Sequence, residues 1–142
     1  MYCTQNDIIK RRIPEDDLIQ LTDDNDLGGV DADVVAGIIA EQDELIDGYL
    51  RSRYELPLAE PVPGLLTGLA VDLCVHALYS RRAHIEIPES IDKAYGNALK
   101  RLREIQQAVM KLDVAGVSTS SSGASFTANE RVSGRNKMTG IL

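Results

Sequence analysis

From position 32 onward the apolar residues fall three and four apart. Val34, Val35, Ile38, Ile39, Leu45, Ile46, Tyr49 and Leu50 share one face with polar residues between them, which predicts an amphipathic helix over residues 32–53. At 1.5 Å per residue such a helix is about 33 Å long. Asp31 is a suitable cap for its start. Arg51 and Arg53 fall in its last turn, where cations suit the negative helix end. Asp47 and Arg51 are spaced to pair across one turn. A second stripe, Leu65, Leu66, Leu69, Leu73, Ala77 and Leu78, broadened by Ala70 and Cys74, predicts a helix over residues 64–82. A third, running from Ile91 through Ala94, Tyr95, Ala98, Leu99, Leu102 and Ile105 to Val109, predicts a last helix over about residues 88–112, with Pro88 in its first turn.

The segments around these helices carry their own signals. Thr4 is a candidate cap with Asp7 three residues on, which predicts a short helix to about residue 12. Pro14 opens another turn at its first position, followed by Glu15, Asp16 and Asp17, with Leu18, Ile19 and Leu21 as the buried side. Residues 23–29 read as a polar loop. Pro57, Pro61 and Pro63 predict an extended, stiff linker over residues 55–63. After Asp113 the character changes. Residues 116–125 are rich in Gly, Ser and Thr, as in a flexible linker. Residues 126–142 hold scattered apolar side chains (Phe126, Val132, Met138, Ile141 and Leu142) and, with Glu130 against Arg131, Arg135 and Lys137, a net charge of +2. The expected fold is mostly α. A small helical bundle over residues 1–113 has two long helices, a third of intermediate length and short N-terminal helices. A linker and extended C-terminal tail follow over residues 114–142.

Charge narrows the function. The whole chain of 142 residues carries −7, which disfavours free nucleic acid as a partner, because DNA binding rests on cations that neutralise phosphate. An acidic body suits a surface past which DNA slides without sticking. Aromatic residues are 4% and Trp is absent, so Leu, Ile, Val and Ala must build the core. Cys3 and Cys74 have no Cys-x-x-Cys spacing and read as small buried hydrophobes, in keeping with a reducing compartment. Residues 1–10 are polar and lack the pattern of a signal peptide, and no apolar run reaches the roughly 20 residues of a membrane span.

Catalytic and metal motifs fail on inspection. The loop Asp23-Asp24-Asn25-Asp26-Leu27-Gly28-Gly29 invites a calcium reading, but the EF-hand position that needs a carboxylate falls on Val34 or Val35. His84-Ile85-Glu86 matches half of a zinc-deaminase signature and lacks its Cys pair. His76 has no ligand partner at i+4. Gly28-Gly29 has no preceding strand and no following Lys for a phosphate loop. Residues 118–122 are a Ser/Thr cluster with no general base. No catalytic, metal or cofactor residue is expected. Lys93, Lys100, Arg101, Arg103 and Lys111 form a basic-leaning surface on the last helix, either a solvated face balancing Glu104 and other acids or a contact for an acidic neighbour, including a second copy of the chain.

The run Ile46-Asp47-Gly48-Tyr49-Leu50 with Arg53-Tyr54-Glu55-Leu56-Pro57-Leu58 is the most distinctive segment. With Tyr2, Thr4 and Asp7 at the start, Leu21-Thr22-Asp23, Val62-Pro63, Tyr95-x-x-Ala98-x-x-x-Leu102 and Arg131-Val132 with Arg135 before Lys137-Met138, it resembles the head–tail connector (adaptor, head completion) proteins of Mu-like phages and prophages. The resemblance implies a structural virion protein of the neck, assembled in the host cytoplasm, with no enzyme activity and no cofactor. It implies a homo-oligomeric ring, commonly twelve-fold, that joins the portal to the tail or to stopper and tail-terminator proteins. Double-stranded DNA would pass through the lumen without specific binding, and no membrane is involved. Expected contacts with neighbouring subunits or the portal are Phe126, Arg131, Val132, Arg135, Lys137 and Met138. Asp47, Tyr49, Arg51, Arg53, Tyr54 and Pro57 would shape the end of the long helix. The rival readings are a helical adaptor for a cellular protein, a helical DNA-binding regulator, which would need clustered cations that the acidic body lacks, and a small metal-dependent enzyme.

Overall fold

A computed structural model describes residues 1–114, and the regular elements of this part of the chain are all helices. Its elements are α1 (Gln5–Arg11), α2 (Glu15–Thr22), α3 (Ala32–Leu50), α4 (Gly64–Ser80) and α5 (Glu89–Gln106). The caps follow from the sequence. The Thr4 hydroxyl accepts from the Asp7 amide at 3.2 Å, and the Asp7 carboxylate accepts from the Thr4 amide at 2.9 Å, a reciprocal capping box. Asp31 accepts from the amides of Asp33 and Val34 at the start of α3. Pro14 caps α2 from just outside the helix rather than opening it.

α4 is the centre of the molecule. It packs against α1, α2, α3 and α5. Leu66, Leu69, Ala70, Val71, Leu73, Cys74, Val75 and Leu78 are all buried on it. That is burial around most of its circumference rather than the single stripe expected, and a helix apolar on all sides is one surrounded by others. α3 and α5 flank it and also touch one another, so the three form a triangle in section. The two ends are tied by polar contacts. At one end Arg81 and Arg82, just past α4, donate to the Leu21 carbonyl at 2.6 and 3.4 Å and to Asp24. This clasps the loop that leads into α3. At the other end the Tyr54 hydroxyl, just past α3, accepts from the Leu112 amide at 3.0 Å. His76, late in α4, stacks on Tyr95, early in α5, with ring centroids 3.8 Å apart. α3 and α5 therefore start at the same end and run in the same direction, antiparallel to α4.

The helices stop earlier than the periodicity predicts. α3 ends at Leu50 rather than 53. The amides of Arg53 and Tyr54 both return to the Leu50 carbonyl, so Arg51 and Arg53 lie in the turn beyond the helix. α4 ends at Ser80 rather than 82. α5 ends at Gln106 rather than 112. The amides of Val109 and Met110 both donate to Glu104 O, and Ala108 takes a left-handed φ of 63°, which closes the helix as a C-terminal glycine would. Val109, expected in the stripe, is consequently 73% exposed, whereas Leu112 and Val114 return to the core. Leu45 and Leu65 also lie on the surface. The segment 55–63 is not the extended strap expected. It bends repeatedly, its Leu56–Pro57 and Glu60–Pro61 peptide bonds are cis, and Leu58 turns into the core.

The two cysteines behave as small hydrophobes. Both are buried free thiols. The fold brings them into contact, Sγ to Sγ 3.8 Å. The contact with Cys3, together with burial, pushes the Cys74 thiol far up from its ordinary range.

Candidate assembly surfaces

The distinctive motif forms a joint. Asp47 accepts from the Tyr2 hydroxyl, and Asp43, one turn earlier, accepts from the Tyr2 amide at 3.1 Å. The N-terminal residues are thereby laid along α3. Burial, with the Asp47 carboxylate beside it, raises the Tyr2 hydroxyl well above the usual phenol range. The expected pair of Asp47 with Arg51 is not among the ion pairs of the described residues; Asp47 is bonded to Tyr2 instead. Tyr49 is half-buried against the core. Arg51 and Arg53 are exposed. Tyr54 is half-buried and holds Leu112 through its hydroxyl. Pro57 lines a cleft with Tyr2, Asp43, Asp47 and Glu60. So Asp47 and Tyr54 join three segments, while Arg51 and Arg53 face solvent. Tyr2, Asp43 and Leu112 were not singled out from sequence for this joint. The spacing of Tyr2 and Leu112 from residues 47–57 carries no periodic signal. Removing the phenol hydroxyl with Tyr54→Phe is expected to cost about 1 kcal/mol, the usual net worth of one hydrogen bond. It should also speed exchange of the Leu112 amide, which a hydrogen-exchange measurement would register.

Phe126, Arg131, Val132, Arg135, Lys137 and Met138, the expected contacts in the tail, lie outside the described residues, as does the linker at 116–125. The boundary drawn at 113 leaves Val114 on the tail side, yet Val114 is buried.

The acidic loop is occupied by its own chain. Asp23 accepts from the amides of Leu27 and Gly28 at 2.9 and 2.7 Å. Those bonds hold its carboxyl below the usual range. Arg81, with Arg82 beside it, does the same for Asp24. This agrees with a solvated loop and helix cap. Among the described residues no group of three metal-ligating side chains comes together. His76 is half-buried on Tyr95, with Asp92 at 3.4 Å, and His84 is exposed.

Two surfaces stand out. The outward side of α3 presents Asp33, Glu41 and Glu44, all exposed, and α3 contains no Lys or Arg. The outward side of α5 presents Lys93, Lys100, Arg101 and Arg103, also exposed. Lys93 pairs with Glu89 at 3.1 Å. Lys100, Arg101 and Arg103 join none of the ion pairs found among the described residues. Beside the acidic face lies an apolar cleft of about 300 Å³, lined by Met1, Ala32, Val35, Ala36, Ile39 and Ala40 among others. No helix among the described residues is long and apolar enough to cross a membrane.

Over residues 2–129 the chain matches the profile of the protein family described as Bacteriophage Mu, Gp36. No curated protein matches it.

Proposed function

The chain belongs to the Bacteriophage Mu Gp36 family, and on that premise we propose that this phage morphogenetic protein is a subunit of the head–tail connector ring, seated between portal and tail and continuing the DNA channel. The observation that carries the reading is the reach of the family match, residues 2–129, which takes in the helical body and the first part of the tail. The body supports it physically. A three-helix core with both ends tied is a rigid building block, and a net charge of −7 lets DNA pass without the counterion release that drives binding. The protein acts through its interfaces, has no catalytic step and needs no cofactor. Its place is the virion neck, reached from the host cytoplasm.

Full-length protein, alone or with portal, is expected to form rings visible by electron microscopy, twelve-fold if the resemblance extends to symmetry. Monomers under both conditions would overturn the reading.

The tail is proposed as an arm that gains order from a partner, with Phe126, Val132 and Met138 as apolar anchors and Arg131, Arg135 and Lys137 meeting acidic surface. The informative truncation falls after Val114, because Val114 belongs to the core. The truncated chain should keep its helical circular dichroism and lose assembly. Normal rings from it would remove the tail from the mechanism.

A further inference from the structure

We propose that the acidic outward face of α3 docks against the basic outward face of α5 on a second copy of this chain, head to tail around the ring. The inference rests on the ring reading and specifies which surfaces meet.

Charge is the first argument. Asp33, Glu41 and Glu44 on α3 and Lys100, Arg101 and Arg103 on α5 are exposed, and none of the six joins an ion pair among the described residues. Two unlike faces of opposite sign on one subunit repel their own kind and attract each other. Because the two faces point apart on the subunit, one α3–α5 contact cannot be reciprocated across a two-fold axis, which selects a heterologous contact.

Position is the second. α3 and α5 flank the buried α4, so their outward faces point apart, as successive contacts in a ring require. They also start at the same end and run the same way. Counted from their first residues, Glu41 and Glu44 lie about 13 to 18 Å along α3, and Lys100 to Arg103 about 16 to 21 Å along α5. With the ring axis along the helices, the two patches meet at nearly the same height. A contact with little axial rise closes a ring instead of climbing into a filament.

The third argument is independent of charge. Gly37 inside α3 and Gly96 inside α5 are exposed glycines on these faces, and Gly48 adds a third in the last turn of α3. A Cβ added at any of them would meet nothing within 4 Å. Glycine disfavours a helix interior relative to alanine, and no contact inside the subunit calls for it here. A second helix approaching closely at these positions supplies the missing reason.

The test is charge exchange. Glu41→Lys with Glu44→Lys forms one variant, and Lys100→Glu with Arg101→Glu and Arg103→Glu forms the other. Each should remain helical by circular dichroism and lose rings, with subunit association weakened at least about 100-fold, because several like charges then face each other. Mixing the two variants should restore rings, since each reversed face meets its complement, and raised salt should weaken wild-type and mixed rings alike. Gly37→Gln should stabilise the subunit and still impair assembly. Rings of wild-type strength from either charge variant alone, or from Gly37→Gln, would overturn this face assignment and leave the ring reading standing. A wild-type chain that forms no ring, alone or with portal, overturns both.

Discussion

Leu73→Ala is expected to remove about 2 to 5 kcal/mol of stability. Leu73 is fully buried near the midpoint of α4, the helix that every other helix in the described bundle touches. A cavity there is walled by helices tied at both ends, so little collapse is available to refill it, which places the cost in the upper part of the range. Domains of this kind are stable by only about 5 to 15 kcal/mol. The variant is therefore expected to unfold at much lower urea concentration, with the transition followed by circular dichroism at 222 nm. Leu73→Met keeps the volume and should lose less than about 1.5 kcal/mol. Equal losses for the two variants would mean that volume is not what matters at this position.

Thr22→Val is expected to cost about 1 to 3 kcal/mol through a single polar group. Thr22 is the one buried polar side chain in the described core. Its hydroxyl donates to the Leu18 carbonyl at 2.9 Å and accepts from the Asp31 amide at 3.1 Å. Leu18 O keeps a backbone partner within α2, but the Asp31 amide loses the partner that it has among the described residues. Asp31 is also the cap of α3, so the loss falls on the closure of the loop at 23–30 and the start of the long helix together. The urea midpoint should drop with an unchanged slope, and exchange at the Asp31 and Asp33 amides should accelerate. Unchanged exchange at both would show that the loop is held by Arg81 and Arg82 alone.

Much of the bundle was legible because its signals are local. Helical spacing located all three long helices. Thr4, Asp7 and Asp31 marked true starts, since a cap acts within one turn. The helix ends were missed for a physical reason. Val109 continues the apolar spacing of α5, yet the chain there turns back through a left-handed Ala108 so that Leu112 and Val114 can reach the core. Periodicity cannot distinguish a residue that extends a helix from one that packs after a turn. The linker at 55–63 was misread in a similar way. Its prolines suggest extension, while burial of Leu58 bends it. The joint around Asp47 was half legible. The motif stood out, but its partners Tyr2 and Leu112 are more than forty residues away in sequence, and only the fold brings them in. The basic face was visible as composition on α5, and its separation from the acidic face of α3 needed the packing of both helices around α4.

The sulfur pair at the heart of the molecule has a practical corollary. Cys3 and Cys74 are the only cysteines in the sequence and both are sealed from solvent, so the native protein offers maleimide reagents no ready target. A single cysteine introduced at exposed Arg53 would take a fluorophore or spin label selectively. Distances between copies in an assembled neck could then be measured without first stripping out the natural thiols.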